Sequence, residues 1–314
     1  MKIGVQITPF FIISLLLVTA FSPILSSAPP ISQDILIVDI SGNGDYRTIK
    51  DAISNASVTD IIQIKSGFYE EHNLKISEKI ELIGEDPEST IINCSGNLAF
   101  SVSSAYVDIS NLQIVNTQEF AITILPKSTG CTISNCIINT NYKGVAIDIR
   151  SSYNTIKECK LIGLENSKQG IKIHGSYNII RDCEIEDFSN GILVLIDSTN
   201  NKITNCNIIN NENAIDIRIN SNENIISGCN IYSNLQSIRI WQGSNNNIVF
   251  SNNFWKNDLK AIDENNNSWD NGIKGNYWDK YRGEDLNNDG VGDTPYKISD
   301  GNFDNYPMIE MILP

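Results

Sequence analysis

From residue 133 onward one phrase recurs along the chain: isoleucine, two further residues, cysteine, one further residue, then isoleucine or leucine. It centres on Cys136, Cys159, Cys183, Cys206 and Cys229, which are 23, 24, 23 and 23 residues apart. Leu112 precedes the series in the same frame, and Asn252 or Asn253 follows it. Eight to eleven residues after each cysteine, a small residue opens a short run of alternating character, as at 144–149, 170–174, 214–219 and 237–241. Alternation of period 2 inside a period of 23 predicts short strands joined by turns, each sending its isoleucines to one side. One such coil cannot bury its own apolar side, so coils must stack, with equivalent residues about 4.8 Å apart. The predicted fold is all-β, a single-stranded right-handed parallel β-helix of about ten coils, its hand following the crossover rule.

A stack of coils exposes sheet edge and core at both ends, so each end needs a cover. Residues 46–55 place Tyr46, Ile49, Ala52 and Ile53 on one helical face, which suits an amino-terminal capping helix. The tail from 271 to 314 breaks the repeat and reads as an irregular carboxy-terminal cap, leaving 29–270 for the β-helix and its first cap. Before that, Lys2 is followed by a charge-free stretch to Gln33, and Ser26, Ser27 and Ala28 offer small residues for cleavage. Residues 1–28 therefore read as a signal peptide for a secreted or cell-surface protein. An uncleaved membrane anchor through residues 7–25 is the other reading. Asn55, Asn93 and Asn266 open N-x-[ST] sequons, compatible with export.

Charge narrows the partners. The 314 residues carry a net charge of −14, which leaves nothing to neutralise a run of phosphates and excludes nucleic acid. Asparagine is the strongest bias, with 41 in the chain and 26 after residue 200. It suits tight turns and left-handed backbone, as a repeat with many turns requires.

The coils resemble the right-handed β-helix repeat proteins of the NosD-like, carbohydrate-binding and sugar-hydrolase group, within the pectin-lyase-like superfamily, over residues 35–310. Gly44-Asp-Tyr-Arg-Thr-Ile-Lys-Asp-Ala-Ile53, Ile64-Lys-Ser-Gly-Phe-Tyr-Glu-Glu71 and Ile80-Glu-Leu-Ile-Gly-Glu85 look like the opening coil shared with pectinesterases. Gly275-Asn-Tyr-Trp-Asp-Lys-Tyr281, Asp293-Thr-Pro-Tyr296 and Asp304-Asn-Tyr-Pro-Met308 look like that group's carboxy-terminal signature. The resemblance implies the same hand of helix and surface work on sugars, although one fold hosts many activities. The chain lacks the catalytic segments of true pectinesterases, and the Gly-His-Gly of polygalacturonases is absent because Ile173 precedes His174-Gly175. NosD itself implies a copper accessory role, for which this chain offers only two histidines, His72 and His174, and three methionines.

Aligning the strands on their leading small residue gives two outward columns. The first runs Ser101, Thr123, Ala146, Lys172, Leu193, Asp216, Arg239, Asp263; the second runs Ser103, Leu125, Asp148, His174, Leu195, Arg218, Trp241, Asn265. Asp148, Lys172 and His174 form one candidate catalytic patch, and Asp216, Arg218 and Arg239 another, separated by Leu193 and Leu195. Trp241, Arg218, Arg239 and Asp263 are the candidate ligand contacts: an indole to stack on a sugar and charges to pair with uronate carboxylates. The expected function is binding of a polysaccharide or surface glycan. A lyase or glycoside hydrolase acting on an acidic polysaccharide is the alternative, since paired carboxylates, a histidine or a lysine can move the protons it needs. The cysteines fall at an inward bend as small buried hydrophobes, a slot that holds asparagine in the resembling repeats. In the tail, Asp285, Asn287, Asp289, the Val291 carbonyl and Asp293 follow the oxygen spacing of an EF-hand loop with Gly290 at its turn. Calcium is the expected cofactor, with Asp300 or Asp304 completing the ligands.

Overall fold

Isoleucines two residues apart make strands, and the 23-residue repeat decides which strands meet. The computed structural model describes residues 33–164 and 167–312, so the expected signal peptide and the anchor through 7–25 lie outside the described residues. The chain cycles through three parallel sheets. In one coil, Thr132–Ser134 belongs to sheet A, Ile137–Thr140 to sheet B and Val145–Ile149 to sheet C, before Thr155–Lys157 returns to sheet A. Sheets A and B have ten strands and sheet C nine. Pairing is in register between coils: Ile133 lies against Ile156, Ile138 against Leu161, and Ile147 against Ile171. The inward column of sheet A, from Leu82 through Ile109, Ile133, Ile156, Ile180, Ile203 and Ile226 to Val249, is fully buried. Each such side chain contributes about 1.5–3 kcal/mol over its exposed state. Slipping a strand by one residue would turn its column to solvent, so the isoleucines hold the register.

The turns explain the asparagines and cysteines. At the bend between sheets A and B, Asn135, Glu158, Asp182 and Asn205 adopt positive φ, and the next residue, a cysteine, points inward. All seven cysteines are buried and free. Their thiols donate to carbonyls, as from Cys159 Sγ to Lys157 O at 3.3 Å. Asn252 and Asn276 continue the same column. At the turn from C to A, the buried Asn154, Asn178, Asn201, Asn224 and Asn247 form a ladder that ends on the half-buried Asn267. Each Nδ2 donates to the next Oδ1, and that oxygen also accepts the preceding asparagine's backbone N–H, as Asn178 does from Asn154. Asparagine is thus as much an interior residue here as a turn former.

Both ends are covered. The first helix, Ile49–Asn55, buries Ile49 and Ala52 and is capped by Thr48, whose hydroxyl accepts from Asp51 N–H. It starts later than the sequence pattern suggests, because Tyr46 pairs with Val38 as a β-bridge. At the other end sheet B gains the strand Tyr277–Trp278, past residue 270. Trp278 is sandwiched between Phe254 at 4.2 Å and Tyr296 at 4.6 Å, the latter on the hairpin of Tyr296–Ser299 and Asn302–Asp304. Asp304 ends the Asn252–Asn276 ladder, accepting from Asn276 N–H and Trp278 Nε1–H, each at 2.8 Å. Burial pushes its carboxyl up to about 6 against those donors. No helix among the described residues is long and apolar enough to cross a membrane.

Candidate functional site

The outward face of sheet C carries the candidate residues, with one correction of alignment. Each strand of this sheet is entered through a small residue packed against the core. A Cβ on Gly170 would lie 2.6 Å from Ile185 Cγ2, and one on Gly191 2.9 Å from Ile208 Cγ2. In the coil before them this slot belongs to Ala146, not Gly144, since Ile147 pairs with Ile171. The outward column therefore runs Ser101, Thr123, Asp148, Lys172, Leu193, Asp216, Arg239. Asp148 lies beside Lys172, and Arg150 takes the place beside His174 that the sequence alignment assigned to Asp148. Arg150 was missed for that reason, although it stands two residues beyond Asp148 in the same alternation.

Around Asp148 the charges are incompletely matched. Its carboxylate is fully buried, and Oδ2 accepts from Arg150 Nε. Oδ1 has no hydrogen-bond partner and lies 4.0 Å from His174 Nε2. Lys172 is the in-register neighbour of Asp148, yet among the described residues no carboxylate lies within ion-pair distance of its ammonium. Burial lowers the His174 pKa, helped by Lys172 and Arg150 and opposed by Asp148, so the imidazole stays neutral at neutral pH. The Arg150 guanidinium lies over the Phe120 ring, 5.2 Å from its centroid.

Leu193 and Leu195, 2% and 7% exposed, separate this patch from the second. There both Asp216 oxygens are engaged: Arg239 Nη2 donates to Oδ2 at 2.7 Å and Trp241 Nε1 to Oδ1 at 2.8 Å, with Arg218 Nη1 at 3.7 Å, while Arg218 Nε and Arg239 Nε are buried without a partner. The Arg239 guanidinium lies 4.6 Å from the Trp241 ring centroid. One face of the expected sugar-stacking indole is therefore occupied by the protein's own arginine. Asp263 does not join this patch. Arg239 pairs with Ile262 and Ile240 with Asp263, a one-residue offset that turns the aspartate inward. Buried there, it accepts from Asn267 Nδ2 at 2.7 Å and Trp269 Nε1 at 2.9 Å, and is no ligand contact.

The tail loop folds on its own side chains, and its three aspartates do not form a group placed to hold a metal ion. Asp285 accepts from Asp289 N–H and Gly290 N–H, Asp289 from Val291 N–H, and Asp293 from Leu286 N–H. Asn287 Oδ1 accepts from Asp289 N–H, and Val291 bridges to Met308. Neither suggested completing ligand reaches the loop: Asp300 pairs with Lys297 at 2.7 Å, and Asp304 is buried under Trp278.

Comparison with known proteins places this geometry. The family described as periplasmic copper-binding protein (NosD) matches residues 47–283. A probable pectinesterase/pectinesterase inhibitor 34 of Arabidopsis thaliana is 30% identical over 149 residues, 44% of this chain and 23% of that protein. The chain thus spans under a quarter of that relative's length. Among solved structures, pectate lyase Pel9A superposes with a TM-score of 0.56 at 14% identity, covering 77% of this chain and 82% of that one. A mannuronic acid specific polysaccharide family 6 lyase from human gut microbiota gives 0.58 at 14% identity, covering 73% and 62%. At such identities the likeness is one of fold. Copper, which the family description implies, does not fit the donors of the described residues. His72 is on an early coil and His174 on sheet C, while every thiol is buried and donates to a carbonyl. No group of three or more His, Cys, Asp or Glu among the described residues is placed to hold a metal ion. With its coils, caps and far more than half its length matched, the chain belongs to the NosD family.

Proposed function

We propose that this protein is exported and binds an acidic glycan along the outward face of sheet C, through Asp148, Arg150, Lys172 and His174, without cleaving it. The observation that carries the reading is the buried Asp148 oxygen left without a partner beside cationic groups. A buried unpaired carboxylate oxygen is costly, and a ligand hydroxyl would satisfy it. Arg150 and Lys172 put positive charge on the face of a chain of net −14, which suits a carboxylate-bearing ligand. The names of the pectinesterase, pectate lyase and mannuronate lyase relatives support a saccharide as the ligand class. Cleavage is the second reading, favoured by the neutral His174 next to Asp148.

The test is titration of the purified protein with polygalacturonate, alginate and a neutral glucan, with the products read by mass spectrometry. Binding to the two polyuronates with intact polymers is expected. New unsaturated or reducing ends would replace binding by lyase or hydrolase action, and equal affinity for the neutral glucan would remove the acidic specificity. We propose further that calcium turns the carboxylates of the 285–293 loop, which do not form a metal-holding group as they stand, toward one another and so holds the carboxy-terminal cap in place. Calcium at a hundred times its Kd then stabilises the fold by about 2.7 kcal/mol, and Asp285→Ala abolishes that gain in a thermal melt.

A further inference from the structure

The turn that leaves sheet C repeats one position at positive φ through seven successive coils, from 106 to 246, and three times that position is a tyrosine. Tyr106, Tyr153 and Tyr177 have φ of 56°, 64° and 60°, where other coils use Gly130, Asn200, Glu223 or Asn246. Left-handed backbone is unfavourable for a bulky side chain, whereas glycine and asparagine adopt it readily. Burial does not offset that strain, because the three tyrosines are 61%, 61% and 48% exposed. Tyr153 and Tyr177 stack in parallel with ring centroids 4.9 Å apart. Tyr106 leans across the next coil, where a Cβ on Gly130 would come within 2.6 Å of its ring. Tyr153 follows Arg150 by three residues and Tyr177 follows His174 by three, so the stacked pair sits on the two coils that hold the unpartnered Asp148 oxygen. Ile196 and Ile219 are also bulky, exposed and left-handed, so what distinguishes the tyrosine pair is its exposed parallel rings beside the Asp148 patch.

We infer that Tyr153 and Tyr177, extended by Tyr106, form an aromatic rim contacting the sugar rings of a linear glycan whose acidic groups pair with Arg150 and Lys172 and whose hydroxyl reaches Asp148. The inference rests on the glycan reading above. Tyrosine suits the role: its ring packs on the C–H surface of a sugar while its hydroxyl stays wet.

The column itself supplies the test. The double variant Tyr153→Asn/Tyr177→Asn installs the residue used at 200 and 246. It is expected to melt at or above the wild-type temperature while its affinity for polygalacturonate or alginate falls at least tenfold. Tyr153→Phe/Tyr177→Phe keeps the rings and is expected to bind within twofold of wild type. Wild-type affinity in the asparagine variant overturns the rim, and if Lys172→Ala still weakens binding, the anchoring site stands without it. A lower melting temperature in the asparagine variant makes the tyrosines structural, and loss of binding in the phenylalanine variant removes ring contact; either overturns the rim. Wild-type protein that binds neither polyuronate overturns both the rim and the site it extends.

Discussion

Two patches on the same sheet face, a few coils apart, start from the same ingredients and end in opposite states. Asp216 and Asp148 are both buried carboxylates flanked by arginine at the second residue along the strand. Around Asp216 both oxygens are taken, by Arg239 and by Trp241, and the indole is covered by the arginine it neighbours. Around Asp148 one oxygen is buried without a partner, Lys172 is unpaired among the described residues, and exposed tyrosines stand on the adjoining turn. The contrast lies in the carboxylates, since Arg218 Nε and Arg239 Nε of the Asp216 patch are themselves buried without a partner. A satisfied buried carboxylate holds its neighbours in place, whereas an unsatisfied one still lacks a donor. The richer cluster of charge and tryptophan thus spends more of its polar groups on itself, and the plainer cluster is the better candidate for contact with a ligand.

The strongest challenge to that contrast is Asp216→Ala. It leaves Arg218 and Arg239 without their counter-ion and should cost about 2–3 kcal/mol, at or below the low end for a buried pair because both arginines are part-exposed. The shift of the denaturation midpoint measures it, and glycan affinity should change little. Next, Lys172→Ala should weaken polyuronate binding about tenfold, or 1.4 kcal/mol, with an unchanged melting temperature. If Arg239→Ala weakened binding more than Lys172→Ala, the roles assigned to the two patches would be reversed. Asp148→Asn should shift stability by less than about 1 kcal/mol, because the amide oxygen can still accept from Arg150 Nε while the oxygen that nothing satisfies is replaced. A loss equal to that of Asp216→Ala would erase the difference between them.

The smallest effect is in pH. The His174 pKa is depressed by burial, so the folded state disfavours its proton. Its contribution to stability is full above the unfolded value near 6.5 and is lost as pH falls through the folded value. Asp304 has the opposite sign: with its pKa raised to about 6, stability is gained as pH falls from above 6 toward the unfolded 3.8. Amide exchange separates the two, because acid should loosen the His174 coil while tightening the cap. His174→Gln should remove the first change and leave the second.

Much of this architecture was legible before any coordinates. The cysteine spacing located the coils and the inward bend, and the apolar face of 46–55 located the first cap. The columns on sheet C were less legible, because Gly144 and Ala146 both fit a small-residue slot and only interstrand pairing distinguishes them. Choosing the wrong one hid Arg150 and moved Asp148 a column sideways. The one-residue offset at Asp263 likewise follows from where the last coil closes, which the composition of its strand does not reveal.

By itself, then, the sequence determined the coil period, the inward isoleucines, the cysteine slot and the need for caps. Each of these is a property of one coil and its nearest neighbour, and burial of the same apolar column enforces it at every step. Only the tertiary structure decided which polar residues face each other across coils, whether each carboxylate is satisfied, and that Trp241 is engaged while Tyr153 and Tyr177 are exposed. The reason is geometric: a slip of one or two residues within the period leaves composition and pattern intact, yet changes every cross-coil neighbour on the outer face.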